Sequence, residues 1–332
     1  MTDNVLAPWI AAQLETLLAQ RGHAWLLAGP TGLGQYLLAL EMARTWLCEQ
    51  PTARGACTRC ASCHAIEVRT HADLCVLMPE TAMLALNWPL NEAAQSDIDE
   101  KKRKASKEIR IETMRDAVEF SQRTSARGHG KVVLVFPAER MNAVAANALL
   151  KTLEEPAGDV RFVLASEAVD QLLPTLRSRC LVHTMTWPTS EAALGWLQQQ
   201  GADADQAKVM LRAAGGRPQD ALQLFQSEAD TQAWITLPKS VVRGDLTVFK
   251  DWTPSQAVDA LQKICHDMLA VKTGALPRFF AAIDLPEGGS MASLTNWGLA
   301  LAAAKRTAEH PFNLALMLEA LVSQARDTLN SR

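Results

Sequence analysis

A glycine-rich run at residues 29–36 constrains this chain more than any other feature of its sequence. The run reads Gly29-Pro30-Thr31-Gly32-Leu33-Gly34-Gln35-Tyr36 and matches the glycine positions of the phosphate-binding pattern G-x-x-x-x-G-K-[ST]. An apolar stretch, Ala24 to Ala28, leads into the run, and apolar residues at helical spacing follow from Leu33 to Leu47. The predicted order of strand, glycine loop and helix would let backbone N–H groups surround a phosphate.

The two positions of this pattern that act on a nucleotide hold other residues. In the pattern, a lysine reaches the β- and γ-phosphates and a hydroxyl residue binds Mg²⁺, whereas Gln35 and Tyr36 stand here. A neutral amide in place of an ammonium forfeits charge-assisted hydrogen bonds of roughly 1.5–3 kcal/mol. We therefore expect a degenerate, non-functional phosphate loop, formed by Gly29, Gly32, Gly34, Gln35 and Tyr36. From these residues alone, a glycine-rich turn unrelated to nucleotides is an equal alternative.

Composition is typical of a soluble globular protein. The 332 residues are 48% hydrophobic and 21% charged, with a formal net charge of −3 and a pI near 6.2. The length allows two or three domains, and the charge argues against a general nucleic-acid-coating role. The first residues lack the pattern of a signal peptide, and no stretch has the ~18 uncharged apolar residues that span a bilayer. We expect a cytoplasmic protein with no membrane partner.

Strand-like and helix-like segments alternate through the first half of the chain. A helical stretch from Glu112 to Arg123 precedes the β-prone run Lys131 to Phe136, which has the composition of a buried central strand. An Ala- and Leu-rich helix follows from Asn142 to Glu155, and Arg161 to Ala165 supplies the next strand. This alternation predicts an α/β domain whose parallel sheet is covered on both faces.

The pattern changes after Trp187-Pro188. From Ser190 onward the sequence is helical, with a break at 215–218, and residues 230–332 are rich in Ala and Leu. This composition predicts a bundle of several helices.

The segment 87–107 is rich in charge and lacks apolar periodicity. It is predicted to be a mobile, solvated insertion. A basic nucleic-acid-binding patch at Lys101 to Lys104 is the alternative, but the acidic residues beside it weaken its field.

Four of the seven cysteines lie within sixteen residues. Clustering of this kind in a cytosolic chain favours a metal over disulfides. Tetrahedral Zn²⁺ takes four soft ligands, and x2 spacing lets neighbouring thiolates turn onto one ion. We predict a closed, structural zinc site formed by Cys48, Cys57, Cys60 and Cys63. An iron–sulfur cluster and a set of unligated thiols are the alternatives.

The strand that runs into Phe136 lacks the acidic end that holds Mg²⁺ in nucleotide-hydrolysing α/β domains. Neither Phe136 nor Pro137 can bind metal or accept a proton. Glu139 lies farther along the chain and is predicted to be a solvated turn residue. Because loop and strand end are defective together, we expect no ATP in this chain's own site.

Two further runs resemble motifs of a known family. Asn147 to Pro156 (NALLKTLEEP) and Leu176 to Cys180 (LRSRC) are similar to motifs of the clamp loader of bacterial DNA polymerase III, an AAA+ family. Within that family the chain most resembles the subunit that carries a four-cysteine zinc module and lacks a working phosphate loop. Recognisable motifs extend from near Trp9 to near Phe225, and beyond them the similarity is one of length and helical class.

The resemblance implies a fold, a domain order and partners. It implies an AAA+ (P-loop NTPase-like) parallel-sheet domain with a zinc-binding insertion over 1–187, a small helical lid over 188–229 and an all-α collar over 230–332. The implied partners are the gamma/tau and delta subunits in a hetero-pentamer and, through that complex, the sliding clamp and primed DNA. The chain would belong to a DNA-directed DNA polymerase holoenzyme without a complete active site of its own.

The same resemblance implies a role for one arginine. Ser178-Arg179-Cys180 is similar to the family motif whose arginine reaches the ATP of a neighbouring subunit, so Arg179 would act in trans as an arginine finger. Without the resemblance, such an arginine is more often a surface salt-bridge partner. Motor subunits of the family also place an arginine before an Asp-Ala-Leu run in the lid. Here Gln219 precedes that run, and Arg217 is the alternative candidate.

Three functions follow from these observations. The leading hypothesis is a non-hydrolysing clamp-loader subunit that acts as a stator and supplies Arg179 to an adjacent motor subunit. The alternative is a self-contained AAA+ ATPase with an atypical phosphate loop, which predicts micromolar ATP binding by the isolated chain. A zinc-dependent nucleic-acid-binding module is the third, and for its basic face only Arg54, Arg59 and Arg69 lie near the cysteines.

Overall fold

The structure is a computed structural model, and it describes residues 6–227, 230–250, 252–308 and 314–331. The chain divides into two compact units, Met1–Pro188 and Thr189–Arg332. The predicted further boundary between residues 229 and 230 stays a prediction. Residues 228 and 229, which adjoin it, lie outside the described ranges.

A five-stranded parallel sheet forms the centre of the first unit as far as it is described. Its spatial order is β2-β3-β4-β1-β5. The strands are β1 (Ala24–Ala28), β2 (Leu74–Leu77), β3 (Lys131–Val135), β4 (Val160–Ser166) and β5 (Leu181–Thr184). The predicted α/β architecture with a parallel sheet is confirmed.

The inner strands are apolar because helices cover both faces of the sheet. Every residue of β1 and β3 is buried. Leu26 of β1 is aligned with Leu164 of β4, and Val133 of β3 with Phe162 of β4. These side chains belong to the hydrophobic core of the first unit. The edge strand β5 differs, since most of its residues are exposed.

The helices of the first unit begin and end at sequence signals that the chain carries locally. Asn142 caps one of them by accepting a hydrogen bond from the Ala145 N–H at 2.9 Å, and Pro156 follows its end. The helices are α1 (Pro8–Leu18), α2 (Gln35–Trp46), α3 (Ala61–Glu67), α4 (Glu80–Ala85), α5 (Glu92–Asp99), α6 (Ile111–Gln122), α7 (Ala143–Glu154) and α8 (Pro174–Arg177).

The charged segment 87–107 contains helix α5, which its lack of apolar periodicity did not predict. Asn91 caps this helix. Arg103 donates hydrogen bonds from both terminal nitrogens to the two carboxylate oxygens of Glu80, at 2.6 and 2.8 Å. Capping and ion pairing therefore organise this segment, and the guanidinium at the centre of its basic run is engaged within the chain.

The second unit is all helical in its described part, as predicted for a helical bundle. Leu261, Ile264 and Trp297 are buried at the centre of its largest core. The helices are α9 (Ser190–Gln199), α10 (Ala204–Ala213), α11 (Pro218–Gln226), α12 (Thr231–Arg243), α13 (Pro254–Lys272), α14 (Met291–Thr307) and α15 (Leu314–Leu329). Among the described helices, none is both long and apolar enough to cross a membrane.

A buried carboxylate organises the loop after α13. Asp267, 0% exposed, accepts hydrogen bonds from the backbone N–H groups of Arg278, Phe279 and Phe280 at 2.7 to 2.8 Å. The Arg278 guanidinium in turn donates to the Gly215 carbonyl oxygen at 3.0 and 2.6 Å. This loop therefore joins α13 to the residues that follow α10 within one compact unit.

Candidate functional site

The glycine loop lies at the carboxyl edge of the parallel sheet, where α/β proteins bind ligands. It follows β1, which lies between β4 and β5. The Gly29 N–H donates to the Ser166 carbonyl oxygen at the end of β4, at 3.2 Å. A Cβ added at Gly29 would lie only 2.8 Å from the Met185 Cβ, so the loop needs glycine there. The three glycines of the predicted loop are thus placed between strand and helix, where a nucleotide-binding loop belongs, and Gln35 and Tyr36 are the first two residues of α2.

The Gln35 side chain forms hydrogen bonds with the backbone of this loop. Its side chain is 2% exposed, and its Nε2 donates to the carbonyl oxygens of Gly29 at 2.6 Å and of Pro30 at 2.7 Å. An amide nitrogen carries two hydrogens, and both are used by the loop's own backbone. The side chain therefore points back into the loop and has no donor left for a phosphate oxygen.

Tyr36 links the loop to two other parts of the unit. Its hydroxyl oxygen accepts a hydrogen bond from the Trp88 Nε1–H at 2.6 Å, and its ring centroid lies 5.3 Å from that of Phe136. Arg69 lies over the Trp88 ring, 4.9 Å from its centroid. Burial raises the pKa of Tyr36, so its hydroxyl stays protonated at neutral pH. We call Phe136, Tyr36 and Trp88 the aromatic column.

The aromatic column occupies the two positions that carry magnesium chemistry in a working domain. Tyr36 stands at the hydroxyl position of the loop and Phe136 at the end of β3. The sequence singled out both as losses of function, but it gave no sign of their partner. Trp88 lies 52 residues from Tyr36 in the chain and carries no motif that relates the two.

The prediction that Glu139 is a solvated turn residue was wrong. Glu139 is half-buried, and its carboxylate accepts hydrogen bonds from the Ser166 hydroxyl at 2.9 Å and from the Glu167 N–H at 3.2 and 3.3 Å. It therefore fixes the carboxyl end of β4. The two neighbouring donors, brought close by the pairing of β3 with β4, are the reason that this carboxylate is drawn in from solvent.

Arg179 lies just after α8, and its side chain is 31% exposed. Its Nε donates to Oε1 of Glu154 at 2.6 Å, and its Nη2 is in contact with the same oxygen. Its Nη1 donates to the Thr175 carbonyl oxygen at 2.8 Å and approaches the Ser178 hydroxyl at 3.4 Å. The structure thus places the predicted finger at the surface of the first unit, where the Glu154 carboxylate holds it.

The alternative lid arginine, Arg217, is engaged near its own helix. Its Nε donates to the Ala214 carbonyl oxygen at 2.8 Å and lies 2.9 Å from a carboxylate oxygen of Asp220. These contacts hold the guanidinium across the start of α11.

The four predicted metal ligands converge. The sulfur atoms of Cys48, Cys57, Cys60 and Cys63 all lie within 4.8 Å of one another, and those of Cys48 and Cys60 are 3.9 Å apart. A tetrahedron with metal–sulfur bonds of 2.3 Å has edges of about 3.8 Å. Cys48 and Cys63 are only 1% and 2% exposed. The cluster can therefore hold a metal ion in a closed, four-sulfur site.

Backbone N–H groups point at the sulfur atoms of this cluster. Gln50 and Cys57 donate to the Cys48 sulfur at 3.4 and 3.3 Å, and Cys63 donates to the Cys60 sulfur at 3.4 Å. Such donors stabilise thiolates, the form in which cysteine binds metal. A backbone hydrogen bond from Arg59 lowers the pKa of Cys57 to about 6, whereas burial raises the pKa of Cys48 and Cys63. The donor set thus fits a soft cation.

A polar network supports the cysteine loop. One carboxylate oxygen of Glu49 accepts from the Ser62 N–H and hydroxyl, both at 3.1 Å, and lies 3.3 Å from Nη1 of Arg127. Asp73, 0% exposed, accepts from the backbone N–H groups of Ala126 and Arg127. The loop around residues 125–127 is thereby tied to the four-cysteine module.

The basic face required by a nucleic-acid-binding module is weakly developed. Arg69 stacks on Trp88, and Arg54 faces Glu15 at 3.8 Å. His64 lies at the surface near Glu67, and the buried His71 accepts a hydrogen bond from the Asp73 N–H. Of the three arginines near the cysteines, Arg69 is thus stacked within the chain, and Arg54 is 90% exposed beside an acidic residue.

A parallel sheet of this order with a glycine loop after an inner strand defines an α/β domain of the AAA+ type. The sequence model of the family described as "DNA polymerase III, delta subunit" matches residues 10–188, more than half of the chain. The chain belongs to this family. Several of its similar relatives carry the name DNA polymerase III subunit delta', and others the name subunit gamma.

Two of these relatives set the scale of the similarity. The subunit delta' of Pseudomonas aeruginosa is 39% identical over 221 residues, which cover 65% of this chain and 60% of the relative. That of Escherichia coli K12 is 33% identical over 227 residues, which cover 67% and 61%. The matched region thus spans about three fifths of the length of these relatives.

A solved structure supports the fold over nearly the whole chain. The DNA polymerase III gamma subunit-related protein of Thermotoga maritima aligns with 96% of this chain and 99% of its own, with a TM-score of 0.51 and 17% sequence identity. At this identity the likeness concerns the fold alone.

Proposed function

We propose that this chain is the non-hydrolysing, delta'-like subunit of a bacterial DNA polymerase III clamp loader. It acts as a stator, binds no ATP productively in its own site, and offers Arg179 to the ATP of an adjacent gamma/tau subunit. Its partners are gamma/tau and delta subunits in a hetero-pentamer and, through them, the sliding clamp and primed DNA. Membership of the family described as "DNA polymerase III, delta subunit", together with similar relatives named subunit delta', supports the clamp-loader role.

The observation that carries the proposal is the pair of hydrogen bonds that Gln35 makes to the backbone of its own phosphate loop. Gln35 uses both amide hydrogens on the carbonyl oxygens of Gly29 and Pro30. A phosphate bound by the Gln35 side chain would have to displace these two carbonyl oxygens, which belong to the half-buried Gly29 and the exposed Pro30, at a net cost of about 0.5–1.5 kcal/mol for each hydrogen bond. No cation at this position would offset that cost. A self-contained ATPase is therefore disfavoured on energy as well as on missing residues.

A second observation supports the loss of magnesium chemistry. The Tyr36 hydroxyl is engaged by Trp88, and its ring packs against Phe136 at the end of β3. A bound Mg²⁺ would need oxygen ligands at about 2.0–2.1 Å in octahedral geometry. The aromatic column supplies one neutral hydroxyl and three aromatic side chains in their place.

The proposal for Arg179 rests on the family motif together with its surface position. A guanidinium pairs with two phosphate oxygens through a planar pair of N–H groups, and an arginine finger supplies about 10³–10⁵ in rate in related NTPases. A side chain that is 31% exposed and held by one half-exposed carboxylate can exchange partners. It therefore suits a group that acts on a neighbour.

For the four-cysteine module we propose structural zinc. Cys48, Cys57, Cys60 and Cys63 would hold the ion, and with four protein ligands it has no open position for substrate. When bound, the ion would cross-link and stiffen the loop between α2 and α3. The backbone donors to sulfur and the sulfur spacing support this assignment.

The second unit is proposed to contain a helical lid, formed within residues 188–229, and a collar over 230–332 that joins the subunits. The helices of the described part of Thr189–Arg332 support a helical fold for both parts.

Reconstitution with partner subunits tests the function. Arg179→Ala should leave assembly of the complex intact. It should lower the ATPase rate measured in the presence of clamp and primed DNA by one order of magnitude or more at each ATP site that Arg179 serves. Arg177→Ala, an exposed arginine two residues away, is the matched control and should keep the rate. An unchanged rate in Arg179→Ala would refute the finger, and failure to co-purify with gamma/tau and delta subunits would refute the clamp-loader assignment.

A further inference from the structure

Every nitrogen of the Arg179 guanidinium has a partner within the chain. Nη1 faces the Thr175 carbonyl oxygen and the Ser178 hydroxyl, whereas Nε and Nη2 both face Oε1 of Glu154. The Nε–Nη2 edge is one of the two edges with which arginine grips a carboxylate or phosphate through parallel N–H groups. Glu154 therefore occupies an edge that a phosphate would use.

Glu154 is poorly placed to stabilise its own helix. It is the last residue of α7, where the partial negative charge of the helix end disfavours a carboxylate, and Glu155 follows directly. The Arg179 guanidinium, 25 residues away in the chain, supplies the opposing charge. The ion pair thus accounts for an acidic group at a position that helix electrostatics alone would avoid.

We propose that Glu154 is an intramolecular latch for Arg179, and this inference rests on the proposed function of that arginine. In the latched state the carboxylate holds the Nε–Nη2 edge. When a neighbouring subunit presents a triphosphate, its oxygens displace the carboxylate and take the same edge. Glu154 is a positioning residue, since it acts through Arg179 and touches no nucleotide.

The strength of the pair suits a latch that opens in each cycle. The side chains of Arg179 and Glu154 are 31% and 49% exposed, and ion pairs this open to water are weak. A triphosphate carries more charge than one carboxylate and wins the exchange when it is correctly placed. When the triphosphate is not correctly placed, the Glu154 carboxylate competes with it for the guanidinium. The latch therefore suppresses ATP hydrolysis in the absence of clamp and DNA.

The test uses the reconstituted complex with Glu154→Gln, which keeps the shape and removes the charge, and Glu154→Ala, which removes both. Both variants should raise the ATPase rate without clamp and DNA by roughly two- to five-fold, the range expected for losing a weak ion pair. The fully stimulated rate should change by less than about two-fold, because the latch is already open in that state. Glu155→Gln, at the adjacent exposed position, is the matched control.

The double variant Glu154→Ala/Arg179→Ala separates a latch from a structural role. If Glu154 acts through Arg179, the double variant should have the same unstimulated rate as Arg179→Ala alone. An unstimulated rate that does not rise in either Glu154 variant, or that rises equally without Arg179, would overturn the latch. Neither result touches the proposed function, which instead fails if Arg179→Ala alone leaves the stimulated rate unchanged.

Discussion

The Trp88 indole N–H donates a hydrogen bond to the Tyr36 hydroxyl oxygen at 2.6 Å, and so joins the segment after α4 to the first turn of the helix that follows the glycine loop. Tyr36 stands where a phosphate loop carries its magnesium ligand. At the position of a magnesium ligand, Tyr36 thus makes a structural contact instead. The aromatic column that results makes this corner of the sheet edge independent of any nucleotide.

Tyr36→Phe should destabilise the first unit by about 1–3 kcal/mol, because it leaves the indole N–H of the 8%-exposed Trp88 without its acceptor. Chemical denaturation followed by tryptophan fluorescence measures the change. Trp88→Phe and the double variant complete a mutant cycle. If the hydrogen bond is the source of the effect, the double variant should lose less than the sum of the two single variants. Strict additivity would contradict the pairing.

Restoring a lysine at position 35 should not restore ATPase activity. Gln35→Lys supplies a cation, but Phe136 still offers no magnesium ligand and Tyr36 no free hydroxyl at the loop. We expect the isolated Gln35→Lys chain to release no phosphate from ATP above background, and the unaltered chain to show no saturable Mg²⁺-dependent binding of labelled ATP at micromolar concentration. Micromolar binding by the unaltered chain would favour a self-contained ATPase.

Purified protein should contain about one equivalent of zinc, measured by elemental analysis. Cys60→Ser should lower the metal content to well below half an equivalent and reduce the thermal stability of the first unit, because the loop between α2 and α3 loses its cross-link. Cys75→Ala, a cysteine outside the cluster, should keep the full metal content. Iron in place of zinc, or no metal at all, would contradict the structural zinc site.

Asp267→Asn should destabilise the second unit by about 2–4 kcal/mol. The substitution replaces a buried carboxylate that accepts three backbone hydrogen bonds by an amide whose NH₂ group faces backbone donors. Denaturant titration of the full chain, with the helical signal as readout, measures the loss. Asp259→Asn is the matched control on the same helix, since Asp259 is 46% exposed and in the described structure its carboxylate faces Lys263 and Lys305 and no backbone donor. Equal effects of the two variants would contradict the role given to Asp267.

Local sequence patterns predicted those strands and helices whose formation depends on neighbouring residues in the chain. The strand Ala24–Ala28 has the predicted bounds, and the helix Ala143–Glu154 is one residue shorter at each end than the predicted helix from Asn142 to Glu155. Apolar runs, a capping asparagine and a following proline are all signals within a few residues of the element. The edge strand β2 gave no comparable signal, since it has four residues and most are only half-buried. Helix α5 was missed because a polar cap at Asn91 and an ion pair between Asp97 and Arg103 hold it.

The sequence by itself determined which chemistry this chain lacks and where a metal can bind. The identities of Gln35, Tyr36 and Phe136 exclude the usual phosphate and magnesium contacts wherever the chain places them, and x2 spacing brings cysteines together through a short loop.

Only the tertiary structure decided what the replacement side chains do. Gln35 folds back on the loop, Tyr36 accepts from a tryptophan 52 residues away, and Arg179 is held by a glutamate 25 residues away. Periodicity and capping act over a few residues, whereas the pairings of Tyr36 with Trp88 and of Arg179 with Glu154 depend on how elements distant in sequence are brought together in the fold.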